Sequence, residues 1–158
     1  EVNRRLKQGV KNYIIIALPA AVGLWCVSSS LASLFLDSKY TSGNRVIGII
    51  AVGMFFLGLT EYVNKGWELS RKTVNILRNC FVATSINIIL NVMLIDKYGY
   101  MVAAYTTLVA YVGYFALSYV SRNRDVAFEV GLKFLGKIIF SVGVMAIVVR
   151  GIIYFLGE

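Results

Sequence analysis

The chain has 158 residues, of which 58% are hydrophobic and only 15% charged, with a net charge of +8. Soluble domains are about a quarter charged and roughly half apolar, so a mean hydropathy of +0.73 argues against a single water-solvated core and for lipid as the solvent. One proline, no histidine and two cysteines, Cys26 and Cys80, both inside apolar runs, argue against a loop-rich enzyme, a histidine metal site, a disulfide framework and a zinc spacing.

Five apolar runs follow in order: Tyr13–Leu36, Val46–Val63, Val74–Ile95, Tyr100–Val120 and Phe134–Leu156. Each is long enough to cross a hydrocarbon core of about 30 Å at about 1.5 Å per residue. Lipid offers unpaired backbone groups no partner, so each run is expected to be a helix. No ten-residue alternation speaks for a β-barrel. The predicted fold class is therefore all-α, a polytopic transmembrane bundle of about five helices.

The first run follows a basic segment and contains Pro19 among Ala17, Ala20, Ala21 and Gly23. Proline removes a helical hydrogen bond, so Pro19 is a candidate hinge or a fixed bend. A basic start followed by small residues also resembles a signal peptide, but the apolar stretch is too long for one. Because residue 1 is Glu rather than Met, the chain is expected to be a piece of a longer protein. Before and within the second run, Gly43, Gly48, Gly53 and Gly58 recur every five residues, a period that does not make one helical face. Glu61, near its end, is expected to pair with Lys65 at i,i+4.

The third run carries Cys80, Thr84, Asn87 and Asn91 within a stripe about 60° wide. Amides in lipid are costly unless paired, so the stripe should face other helices or a wet cavity. Two readings stay open: hydrogen bonds that lock helix packing, or groups that line a path. Arg78, on the opposite face, is expected to snorkel to the membrane surface. The tight Asp96-Lys97-Tyr98-Gly99 turn makes the third and fourth helices antiparallel neighbours. The fourth presents Thr107, Tyr111, Tyr114 and Ser118 on one stripe, with Tyr114 and Ser118 read as partly interfacial. Its second stripe, Ala103, Thr106, Ala110 and Gly113, is small enough for close approach of a neighbour. The fifth run contains Arg150, within reach of headgroups.

Twelve basic residues lie in the N-terminal segment and in the Asn64–Arg78 and Ser121–Lys137 regions, against three in the two alternate gaps. The positive-inside rule then places the N-terminus in the cytoplasm and the C-terminus of the chain outside. Basic charge confined to short gaps between apolar runs is a topology signal, so no nucleic acid partner is expected. No nucleophile–base pair, phosphate-binding glycine loop or metal cluster is seen; neither enzyme activity, cofactor nor metal is expected.

The run N-I-I-L-N-V-M-L-I-D-K-Y-G-Y-M-V-A-A-Y-T-T resembles the polysaccharide flippases of the multidrug/oligosaccharidyl-lipid/polysaccharide exporter superfamily. Members often read N-hydrophobic-hydrophobic-L-N-x-x-L-I-P-x-Y-G-x-x-G-A-A-x-x-T. Asn87, Leu90, Asn91, Leu94, Ile95, Tyr98, Gly99, Ala103, Ala104 and Thr107 match this pattern, whereas Asp96 replaces the usual proline and Val102 the usual glycine. The resemblance runs from about Asn12 to Arg122. It implies a multi-pass transporter of the cell membrane that carries lipid-linked oligosaccharide or polysaccharide units between leaflets by alternating access. It also implies that residues 1–158 form part of a C-terminal lobe, roughly helices nine to thirteen, whose partners are membrane lipid, the lipid-linked sugar and the N-terminal lobe. Thr84, Asn87, Asn91, Thr107 and Tyr111 are the candidates for substrate path or helix packing. The alternatives are a drug/cation antiporter of the same superfamily, which should carry intramembrane carboxylates, and a non-catalytic membrane scaffold, against which only the polar stripes speak.

Overall fold

The computed structural model describes residues 1–35, 44–123 and 131–155. Among them are five helices: α1 (Val2–Phe35), α2 (Asn44–Leu69), α3 (Val74–Tyr98), α4 (Met101–Ser121) and α5 (Leu132–Phe155). All five are long and apolar enough to cross a membrane, as the all-α reading expects. The packing order is α1 on α2, α2 on α4 and α3 on α4, with α5 against α1.

The helices run further than the apolar runs. The first begins at Val2 rather than Tyr13, and the second continues to Leu69 rather than stopping at Val63. At about 1.5 Å per residue, the 34 residues of α1 extend about 50 Å, well beyond the hydrocarbon thickness. Hydropathy reports the lipid-embedded part of a helix, whereas polar residues outside lipid can continue it without penalty. The basic residues Arg4, Arg5, Lys7 and Lys11 thus lie on α1 itself, with Arg5 paired to Glu1 at 2.7 Å. The longer α2 also corrects an expected ion pair: Lys65 bonds Glu68 at 2.6 Å, at i,i+3, instead of Glu61. Leu36 and Leu156, which closed two of the runs, lie outside the described residues, as does Gly43.

The end of α2 is set by the backbone. Lys72 N–H donates to the Trp67 carbonyl at 2.9 Å and Arg71 N–H to the Glu68 carbonyl at 3.0 Å. This is the bonding pattern of a Schellman motif, in which the residue past the helix adopts the left-handed conformation. That residue is Arg71, at φ +56°. The α3–α4 turn is shorter than the expected tetrapeptide, because Asp96, Lys97 and Tyr98 are still helical. Gly99, at φ +76°, and Tyr100 reverse the chain, and Gly99 N–H closes on the Ile95 carbonyl at 2.8 Å.

Between membrane helices lipid competes for apolar contacts, so association rests on close packing and hydrogen bonds. Here the glycines of α2 accept aromatic rings. A β-carbon on Gly48 would come within 3.1 Å of the Trp25 indole, one on Gly53 within 3.0 Å of the Tyr111 ring, and one on Gly58 would fall on the Tyr13 hydroxyl. Gly48 and Gly58 therefore admit α1, and Gly53 admits α4. A five-residue period advances each glycine by about 140°, which suits a central helix with two neighbours. Gly113 is different. A β-carbon there meets nothing within 4 Å, so the expected close approach at Gly113 is corrected. The tight α3–α4 contacts run instead through Ala83, Ala104, Thr106 and Ala110, all buried. In α1 the helix continues through Pro19.

Candidate functional site

A groove of about 250 Å³ lies where α3 and α4 meet α2. Thr84, Asn87, Thr107 and Tyr111 line it, beside Leu57, Cys80, Ala83, Ala110 and Tyr114. Four of the five sequence candidates are thus brought to one cavity by two adjacent helices. The helical periodicity of α3 carries Cys80, Thr84 and Asn87 to one side of the hairpin. The rings of Tyr111 and Tyr114 close the groove from α4. Thr107 donates its hydroxyl to the Ala103 carbonyl at 2.7 Å, which leaves its oxygen as an acceptor.

The fifth candidate, Asn91, is held elsewhere. Its Nδ2 donates to Asn87 Oδ1 at 2.8 Å, and its Oδ1 accepts from the Thr106 hydroxyl at 2.7 Å. Asn91 therefore ties α3 to α4 and orients Asn87, whose own amide nitrogen remains available to the groove. Thr106 lay on the small stripe in the sequence reading, and its role as a hydrogen-bonding partner was not visible there. Arg78 lines a separate, mostly apolar cavity with Val82, Ile86, Val109 and Gly113, away from Asn87 and Asn91 as its helical angle requires.

Two further amides were not legible as structural groups. Asn79 is buried and donates to the Ser121 hydroxyl at 2.7 Å. Asn64 is buried and donates to the Tyr114 hydroxyl at 3.0 Å. Tyr114 and Ser118 are 7% and 0% exposed, so the interfacial reading of both is corrected: both are enclosed by the bundle, and Tyr114 meets α2 through Asn64. The signal for Asn64 was hidden because Glu61, Lys65 and Glu68 surround it in sequence, which makes the segment resemble a loop. Asn123 extends the same set, donating to the Ser70 hydroxyl at 2.6 Å.

Among the described residues no group of three His, Cys, Asp or Glu side chains is placed to hold a metal ion. The arrangement offers neutral amides, hydroxyls and phenols between membrane-spanning helices. It can bind or pass a polar group; it holds no nucleophile–base pair. These features define a multi-pass helical membrane protein with polar groups gathered between its helices, of the kind transport proteins build.

The chain matches the family described as Lipid II flippase MurJ along residues 1–158, and it belongs to that family. No curated protein and no solved structure matches the chain. The family lies within the superfamily that the Asn87–Thr107 motif suggested, and its cargo is lipid II, a lipid-linked peptidoglycan precursor. Its members are multi-pass transporters of the cytoplasmic membrane rather than enzymes.

Proposed function

We propose that residues 1–158 form part of the C-terminal lobe of a lipid II flippase, and that this lobe rocks against an N-terminal lobe to expose lipid II to each leaflet in turn. The match to the lipid II flippase family along residues 1–158 carries this reading. The polar groove between α2, α3 and α4 supports a role in the path for Thr84, Asn87, Thr107 and Tyr111. Asn91 acts as the tie behind them, and Pro19 is a hinge candidate in α1.

The proposed orientation has the N-terminus and the α2–α3 turn in the cytoplasm and the α3–α4 turn outside. The distribution of basic residues supports it. So does the position of Lys11, whose ammonium lies 5.2 Å from the Phe134 ring centroid. That contact brings the basic starts of α1 and α5 to one end.

The test is translocation of lipid II in proteoliposomes by the full-length protein. Asn87→Leu should cut the rate severalfold at unchanged folded yield. A wild-type protein that leaves lipid II in its original leaflet would remove the proposed function. An Asn87→Leu variant with an undiminished rate would remove the groove from the path.

A further inference from the structure

A cleft that gathers charged and aromatic side chains lies at the other end of the bundle from the basic turns. It encloses about 620 Å³, a volume in the range of small-molecule sites, and four helices contribute to it. Trp25 and Ser29 come from α1, Arg45 from α2, Tyr105 from α4, and Arg150 and Tyr154 from α5. Two guanidinium groups from helices distant in sequence thus face one space. Among the described residues no carboxylate lines the cleft, and neither arginine forms an ion pair or a hydrogen bond.

Arginines near lipid are costly unless an anion or water meets them. Arg150 lies five residues before the end of α5, and Arg45 is the second residue of α2. Planar guanidinium groups bind phosphate oxygens through paired N–H donors. The other walls are an indole and two phenols, flat amphipathic faces suited to a sugar ring with apolar C–H groups. Gly48 permits this wall, because a side chain there would collide with Trp25. A doubly cationic cleft with aromatic sides fits a sugar-linked diphosphate better than a single phosphate monoester.

We infer that the Arg45–Arg150 cleft is a diphosphate subsite, which holds the diphosphate of the lipid-linked substrate at the α3–α4 turn end of its route. The assignment of the ligand to the transported lipid rests on the proposed function. In the proposed orientation this is the external end, so the cleft receives substrate after reorientation.

The test is equilibrium binding of farnesyl diphosphate to the full-length protein in phosphatidylcholine nanodiscs. Arg45→Gln and Arg150→Gln should each weaken binding by roughly tenfold, the scale of one charge-assisted hydrogen bond. The double glutamine variant should lose both increments. Arg45→Lys with Arg150→Lys keeps the charges at the same positions and should recover most of the affinity, which separates anion binding from misfolding. Replacing part of the phosphatidylcholine with phosphatidylglycerol should leave the affinity within about twofold. Equal binding by wild type and the double glutamine variant would overturn the subsite. Displacement by phosphatidylglycerol, or by inorganic diphosphate as effectively as by the prenyl ester, would overturn its assignment to a lipid-linked diphosphate. Lipid II translocation is measured on the same preparations. A protein that translocates lipid II while the arginine substitutions leave binding unchanged refutes the subsite alone. A protein that binds through the arginines but does not translocate refutes the proposed function and the transported ligand, and leaves an anion cleft.

Discussion

Gly58→Ala and Gly113→Ala make a matched pair of substitutions in two membrane helices with opposite expected signs. At Gly58 the new methyl would fall on the Tyr13 hydroxyl, 2.5 Å from Cζ and 2.9 Å from Cε2. The phenol cannot easily retreat. Its hydroxyl donates to the Phe55 carbonyl at 2.9 Å, and its ring stacks on Phe55 at 5.9 Å and meets Tyr62 at 5.4 Å between centroids. Overpacking costs about 1–3 kcal/mol, and loss of the phenol hydrogen bond adds about 1 kcal/mol. Alanine returns about 1 kcal/mol of helix propensity. The net loss for Gly58→Ala is therefore about 1–3 kcal/mol. Gly113→Ala meets nothing within 4 Å and should retain the whole gain of up to about 1 kcal/mol. Reversible unfolding of the full-length protein in mixed micelles, followed by circular dichroism, gives both values. In a Tyr13→Ala background the penalty of Gly58→Ala should disappear, a coupling well above the 0.5 kcal/mol seen for independent sites. Gly58→Ala as stable as Gly113→Ala, or a penalty that survives removal of the Tyr13 ring, would refute the aromatic socket.

Arg71→Gly should stabilise the protein by about 1 kcal/mol, since Arg71 holds a left-handed conformation that glycine adopts without strain; the same unfolding titration measures it. Asn91→Leu should cost about 0.6–1.7 kcal/mol through loss of the Thr106 tie, whereas Asn87→Leu should lower lipid II translocation more than stability. Equal stability losses at the two sites would count against the separation of tie from lining. In intact cells an impermeant thiol reagent should label Lys97→Cys but spare Lys72→Cys, and the reverse pattern would invert the proposed orientation.

Hydropathy identified the helices because the energy that sorts them is transfer to lipid, a property of each segment alone. It lost their ends for the same reason. Asn64, Lys65 and Glu68 lower the hydropathy of α2 without interrupting its backbone, and the helix stops only where Arg71 supports a Schellman motif. The stripe Cys80–Thr84–Asn87 was legible because helical angle alone fixes which residues share a face. Angle does not say what stands opposite that face. Asn91 shares the stripe but is claimed by Thr106, and Tyr114, which resembles an interfacial anchor, is claimed by Asn64. Both partnerships depend on the register between helices, which short-range pattern does not encode. The glycines of α2 were legible as a period with no common face, but their meaning required knowing that α2 has neighbours on two sides.

The polar ties explain how a groove can lie between α3 and α4 without the hairpin parting. Asn91 meets Thr106 near the Gly99 turn, and Asn79 meets Ser121 near the far ends of the same two helices. Between these bonds only Ala83 and Ala110 are needed for close contact, and larger side chains diverge to leave a cavity on each side. The outer pair of ties costs little to satisfy, because each amide finds a hydroxyl one helix away. The hairpin is then joined to α2 by the Asn64–Tyr114 bond and by the seat of Tyr111 on Gly53. Three helices so linked resist sliding past one another, since any axial shift breaks an amide–hydroxyl bond in a medium with no water to replace it. Among the described residues helix α5 has no such ties, and Val142 is its one buried residue. A change of access that leaves α1, α2, α3 and α4 as a body, with α1 held to α2 by the Tyr13–Phe55 bond, and moves α5 against them therefore breaks the fewest interhelical hydrogen bonds among the described residues, and it would open or close the Arg45–Arg150 cleft, whose two arginines lie on opposite sides of that division.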